Sequence, residues 1–148
     1  MSSLEVLEVT DRAGELREPA WLSRAEAVHR QLRPQMPPDY ADKMRRVFAG
    51  GGRMLVAHDG RSVCGVAVWR CHENTFLGRF LYVDDLVTDE AQRSRGVGKA
   101  LLDRCEVIAR EAGCEALVLD SGVQRDQAHK FYFREGLTVA AFNFKKKL

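Results

Sequence analysis

The stretch Gln92-Arg93-Ser94-Arg95-Gly96-Val97-Gly98-Lys99-Ala100 decides how the rest of this chain is read. It stands between an apolar run, Leu81-Tyr82-Val83-Asp84-Asp85-Leu86-Val87, and a segment with a helical stripe, Val97, Leu101, Cys105, Ile108 and Ala112. Lys99, Asp103, Glu106 and Arg110 fall opposite that stripe, so the segment reads as an amphipathic helix closed by Gly113. A helix start leaves backbone N–H groups without intrahelical partners, and the helix dipole adds positive potential there. Glycines let an anionic group approach that backbone, and Arg93, Arg95 and Lys99 add charge, so the turn describes a phosphate cradle. The same glycines would also serve as plain turn punctuation. Two familiar cradles are excluded by spelling. A P-loop needs Gly at 93 and Ser or Thr at 100, where Arg93 and Ala100 stand; a dinucleotide fingerprint needs a third glycine where Leu101 stands.

Working upstream, residues 79–87 read as a strand, with the loop around Glu73-Asn74-Thr75 turning into it. Residues 54–58 and 63–69 are apolar, β-branched runs joined through Asp59-Gly60, a strong hairpin signal. A helix is predicted after Asp39, with Tyr40, Met44, Val47 and Phe48 on one side and Gly50-Gly51-Gly52 as its stop. Another lies between Pro19 and Pro34, where Leu22, Ala25, Val28, His29 and Leu32 recur at helical spacing. Residues 4–9 have strand length. Downstream, Ala116–Leu119 is a continuous apolar run, as a strand covered on both faces requires. A short helix over Asp126–Arg134 stops at Gly136, and two short strands are predicted over 137–141 and 142–146. The order β, α, α, three strands, then α, β, α, β, β predicts an α/β fold with one mixed sheet and helices on both faces.

Three segments carry a family resemblance. Arg93-x-x-Gly96-x-Gly98 resembles the (Gln/Arg)-x-x-Gly-x-(Gly/Ala) motif of the GNAT acetyltransferases, residues 81–87 resemble that family's fourth strand, and Ala128-His129-Lys130-Phe131-Tyr132-Phe133-Arg134-Glu135-Gly136-Leu137 resembles its A-x-x-F-Y-x-x-x-G-F helix end. The segments stand in the family's order, so the resemblance covers essentially the whole chain. It implies a mostly antiparallel sheet of about seven strands, splayed between strands 4 and 5 and flanked by four helices. It implies acetyl-CoA as co-substrate and a primary amine, of a small molecule or a peptide, as acceptor, with direct attack in a ternary complex.

The resemblance also assigns residues. Arg93, Ser94, Arg95, Gly96, Val97, Gly98, Lys99 and Ala100 would hold the coenzyme pyrophosphate, and backbone groups of Leu86 and Val87 would pair with the pantetheine arm. Asp84 falls where many members carry a glutamate base, with Asp85 beside it. Aspartate is one methylene shorter, which favours a water relay. Adjacent strand residues point to opposite faces, so one of the two is expected to address the cleft unless a bulge intervenes. Tyr132 matches the tyrosine that protonates or contacts the coenzyme sulfur. Seven positions earlier the family often has asparagine; here Arg125 stands, which puts the pantetheine contacts there in question and offers a phosphate contact instead. A non-catalytic acyl-CoA sensor on the same fold would keep the cradle without needing Asp84 or Tyr132. Residues 30–39 shape the acceptor site in this family, and their Arg33-Pro34-Gln35-Met36-Pro37-Pro38 run matches no acceptor signature.

Composition sets the outer limits. With 148 residues, 45% hydrophobic and 30% charged, the chain suits a single globular domain over 1–148. The net charge of +2 gives no global pull towards nucleic acid, and Lys145-Lys146-Lys147 reads as a solvated tail. No apolar run reaches the roughly 20 residues of a bilayer span, and Met1-Ser2-Ser3-Leu4-Glu5 does not open a signal peptide. The expectation is a cytoplasmic protein without a membrane partner, its assembly open between monomer and homodimer. Cys64, Cys71, Cys105 and Cys114 form no C-x-x-C pair and no metal spacing with His29, His58, His72 or His129, so no metal is expected. Cys64 and Cys105 read as small buried thiols.

Overall fold

The structure, a computed structural model, describes residues 3–148, so the Met1-Ser2 opening of the leader reading lies outside the described residues. Two compact units divide the chain, Met1–Val118 and Leu119–Leu148.

The first unit is built on a sheet ordered β1-β2-β3-β4-β5. Strand β1 (Glu5–Glu8) pairs antiparallel with β2 (Arg53–His58), β2 with β3 (Val63–Asn74), and β3 with β4 (Gly78–Thr88). Side-chain carbonyls and carboxylates set both hairpins. Asp59 accepts the N–H groups of Arg61 and Ser62 at 2.9 Å each, and Asn74 accepts those of Phe76 and Leu77 at 3.1 and 2.6 Å. Strand β5 (Ala116–Leu119) crosses the unit boundary after Val118. Its approach is tied to the beginning of β4, where the Glu115 N–H donates to the Arg79 carbonyl at 2.7 Å.

Helix α1 (Pro19–Leu32) begins on its proline, whose missing N–H costs nothing in a first turn. Helix α2 (Tyr40–Ala49) is capped by Asp39, which accepts the Asp42 N–H at 3.0 Å. Leu22, Ala25, Val28, Tyr40, Met44 and Phe48 from these helices bury with Met54, Val56, Val66 and Val68 on one sheet face. Helix α3 (Val97–Glu111) covers the other face. Its approach is close: a Cβ on Gly65 would stand 2.5 Å from Val97 Cγ1 and 3.0 Å from Leu101 Cδ1, so glycine is required there. Cys64 and Cys105 are fully buried free thiols.

The second unit contains α4 (Asp126–Arg134), stopped where Gly136 takes φ 89° and its N–H meets the Phe133 carbonyl. His129 bonds the Gly122 carbonyl at 2.8 Å, and Asn143 donates to Asp120 at 2.8 Å.

Against the seven-strand expectation the sheet has five strands. The predicted strands at 137–141 and 142–146 are not formed. A strand alternation is stabilised when one face is buried, and here Val139, Phe142 and Phe144 are 69%, 78% and 93% exposed. Strands β3 and β4 instead run further than predicted, to Asn74 and from Gly78, as one long hairpin. A short 3-10 turn at Glu90–Gln92, capped by Asp89, was not predicted.

Candidate functional site

The β3–β4 ladder slips at one place. Val68 pairs with Asp85 and Trp69 with Val83, leaving Asp84 as the extra residue of β4. A bulge of this kind re-aims side chains that a regular strand would send to opposite faces. The exception allowed for a bulge is the case that applies: Asp84 and Asp85 line the same cavity. The cavity measures about 190 Å³, and His29, Arg33, Gln35, Met36, Lys43 and Arg70 also contribute to its wall.

The two carboxylates differ in what they hold. Asp85 is saturated: its Oδ2 lies 2.7 Å from His29 Nε2 and its Oδ1 accepts from Arg33 Nε at 2.8 Å. Its side chain is 15% exposed. Burial by itself raises the Asp85 pKa, but the hydrogen bond and charge of His29, followed by those of Arg33, outweigh it and hold the carboxyl below its ordinary value. Asp84 receives Arg70 Nε at 2.8 Å and the second Arg70 nitrogen at 2.7 Å, both on Oδ2, which leaves Oδ1 without a contact from a described residue. Arg33 also donates to the Asp84 backbone carbonyl at 3.1 Å, and Arg70 to the Gly50 carbonyl at 3.1 Å, fastening the bulge to α1 and α2.

Behind Asp85 the network continues inward. His29 is buried in α1, and its Nδ1 lies 2.8 Å from the Tyr40 hydroxyl. Burial first, and then the Glu26 and Asp85 charges, push the Tyr40 phenol well above its ordinary value. Sequence reading placed His29 and Tyr40 on apolar helix faces, put Arg33 in the acceptor-shaping run 30–39 without a role of its own, and gave Arg70 none. Only the chain reversal that brings Asp85 beside residues 52 and 56 positions away reveals them.

Leu86 and Val87 pair with Ala67 and Val66 of β3 and stand half-buried. Beyond them, Arg93, Ser94, Arg95 and Gly96 are exposed, Val97 is buried beneath them, and Gly98, Lys99 and Ala100 run into the first turns of α3. Ser94 and Gly96 both take left-handed backbone, φ 68° and 77°. Gly96 caps α3 with no side-chain hydrogen bond, and apart from its chain neighbours no atom of a described residue comes within 4 Å of where its Cβ would be. The first N–H groups of α3 thus have no side-chain cap, a fit for a pyrophosphate. Arg95 bonds Gln92, and Lys99 pairs with Asp103.

In the second unit, Tyr132 is the buried residue of α4. Burial raises its pKa above the ordinary phenol value, and the Arg125 guanidinium beside it opposes that rise. Arg125, itself exposed, acts on the phenol through both its charge and a side-chain hydrogen bond.

The sequence model of the Acetyltransferase (GNAT) family matches residues 20–136. The uncharacterized N-acetyltransferase YhdJ of Bacillus subtilis is 44% identical over 87 residues, 58% of this chain and 59% of that one. The aminoalkylphosphonate N-acetyltransferase of Salmonella typhimurium is 35% identical over 77 residues, 52% of this chain and 48% of that one. The match thus spans less than two thirds of either relative. Among solved structures, an aminoglycoside N-acetyltransferase in complex with CoA superposes with a TM-score of 0.80 at 17% identity, covering 100% of this chain and 97% of the other.

Proposed function

From a chain that belongs to the acetyltransferase (GNAT) family, we propose transfer of acetyl from acetyl-CoA to a primary amine by direct attack in a ternary complex. The observation that carries the reading is the start of α3, where Gly96 caps the helix in left-handed backbone and leaves its first amides without a side-chain cap. The amides of 95–100, with Arg93 and Ser94 beside them, hold the pyrophosphate. Leu86 and Val87 offer backbone groups to the pantetheine arm in a gap between β4 and β5. Acetyl-CoA supplies an acetyl group activated as a thioester.

The chain's own residues divide the proton work. Asp84 takes the amine proton through water, a role supported by its uncontacted Oδ1. Asp85, saturated by His29 and Arg33, positions rather than abstracts. Tyr132 returns a proton to the departing thiolate, and its raised pKa keeps that proton in place.

The names of the relatives point to acceptors of opposite charge, an aminoalkylphosphonate in one and a polycationic aminoglycoside in another. The test is a screen of amines for free thiol release, beside acetyl-CoA binding followed by thermal shift. Turnover with at least one amine is expected. Tight acetyl-CoA binding with no turnover on any amine would favour the acyl-CoA sensor.

A further inference from the structure

Given acetyl transfer at this cavity, on which the inference rests, we propose that the acceptor is a small primary amine carrying an anionic group at its far end, a phosphate, phosphonate or carboxylate, and that Lys43 and Arg33 hold that anion. The charged side chains lining the cavity are Arg33, Lys43, Arg70, Asp84 and Asp85. Three cations against two carboxylates leave a surplus of one positive charge before His29 is counted.

The pairing within that set sharpens the point. Arg70 is spent on Asp84 and on the Gly50 carbonyl. Arg33 uses Nε and one terminal nitrogen on Asp85 and the Asp84 carbonyl, while its side chain remains 42% exposed, so its other terminal nitrogen is available. Lys43 has no ion pair or side-chain hydrogen bond among the described residues. It projects from α2 one residue before Met44 and four before Val47, both of which share the cavity wall. An unpaired lysine on a part-apolar wall beside a half-used guanidinium is an anion site with nothing of the protein's own in it.

The amine end is supplied for separately by Asp84 Oδ1, which has no hydrogen bond among the described residues. A polycation would place its further charges against Arg33, Lys43 and Arg70, and like charges at close range select against a wrong partner. Size agrees: about 190 Å³ lies below the usual range of roughly 300–1,000 Å³ for drug-sized ligands.

The experiment compares 2-aminoethylphosphonate, β-alanine, ethanolamine and spermidine as acceptors by thiol release, and measures binding of each to the protein–CoA complex by calorimetry. The anionic amines are expected to exceed ethanolamine in kcat/KM by about tenfold, one well-placed charge-assisted contact, with spermidine poorest. Lys43→Met should remove most of that preference through KM, and Lys43→Arg should restore it. A preference near one, a preference for spermidine, or a Lys43→Met variant with the preference intact overturns the anion site. Lys43-dependent binding of 2-aminoethylphosphonate without turnover would sink acetyl transfer and leave the anion site standing. Absence of such binding would sink the site itself.

Discussion

Asp84 and Asp85 are consecutive on β4 yet line one cavity, because β3 offers Val68 and Trp69 as partners to Asp85 and Val83 and passes over Asp84. The bulge converts a two-residue repeat into a pair of carboxylates with unequal surroundings. Asp85 has both oxygens occupied, by Arg33 and His29. Asp84 has Oδ2 on Arg70 and no hydrogen bond to Oδ1 among the described residues. Unequal contacts predict unequal phenotypes.

Asp85→Asn is expected to lower stability at pH 7 by about 1–3 kcal/mol, since it weakens charge-assisted bonds to a buried imidazole and to Arg33. The sign with pH follows from the direction of the shift. The folded carboxyl lies below its ordinary 3.8, so its contribution is fully present above that value and is lost as pH falls through the depressed one. Urea unfolding of both proteins from pH 7 downwards should show the gap closing below about pH 4. A gap that stays constant down to pH 2 would show that the charge is irrelevant there.

Asp84→Asn should do the reverse. Its ion pair with Arg70 is about a quarter exposed, at 24% and 27%, and rests on one carboxylate oxygen, so the stability change should be smaller than at Asp85. Turnover should fall by roughly 10²–10⁴-fold if this carboxylate accepts the amine proton, with KM for acetyl-CoA little changed. Equal loss of activity in both aspartate variants would mean that position, not proton transfer, is what the bulge supplies.

Gly96→Val tests the cradle. The residue takes φ 77°, which a β-branched side chain tolerates poorly, so the variant strains the turn that presents the α3 amides. Acetyl-CoA at a hundredfold excess over its dissociation constant should stabilise the parent by about 2.7 kcal/mol, and this variant by nearly nothing. Circular dichroism should show the variant still folded, because no described atom stands within 4 Å of the new Cβ. Undiminished stabilisation in the variant would move the pyrophosphate elsewhere.

How much of this was legible depended on whether the signal was local. Helix α4 was read to the residue, since its stop lies in Gly136, and α2 was announced by Asp39 and the three glycines behind it. The bulge was not legible, because it is a property of pairing between two strands and no residue at 84 spells it. His29 looked like one more position on an apolar stripe; that it holds Asp85 depends on a contact across 56 residues. The far half of β3, Arg70-Cys71-His72-Glu73-Asn74, is too polar to read as strand and has β4 as its strand partner. The C-terminal strands failed in the opposite way: Val139, Phe142 and Phe144 have strand propensity without a buried face to use it on.

Tyr132→Phe separates chemistry from binding most cleanly. A general acid must hold its proton at working pH and release it only as the thiolate forms. Burial raises the Tyr132 pKa, more than the adjacent Arg125 lowers it, so the phenol stays protonated past its ordinary 10. Phenylalanine keeps the ring and its edge-on packing with Phe131, centroids 5.5 Å apart, and removes only the hydroxyl. Turnover should fall by about 10²–10⁴-fold while acetyl-CoA affinity holds, the pattern of an interaction made in the transition state alone. Arg125→Ala should act on the same group from outside. With the opposing positive charge gone the phenol pKa rises further, so the acid becomes weaker and turnover falls modestly without loss of protonation at neutral pH. Stopped-flow thiol release and equilibrium acetyl-CoA binding on both variants supply the comparison. Unchanged turnover in Tyr132→Phe would pass the sulfur proton to water and leave α4 without a chemical role.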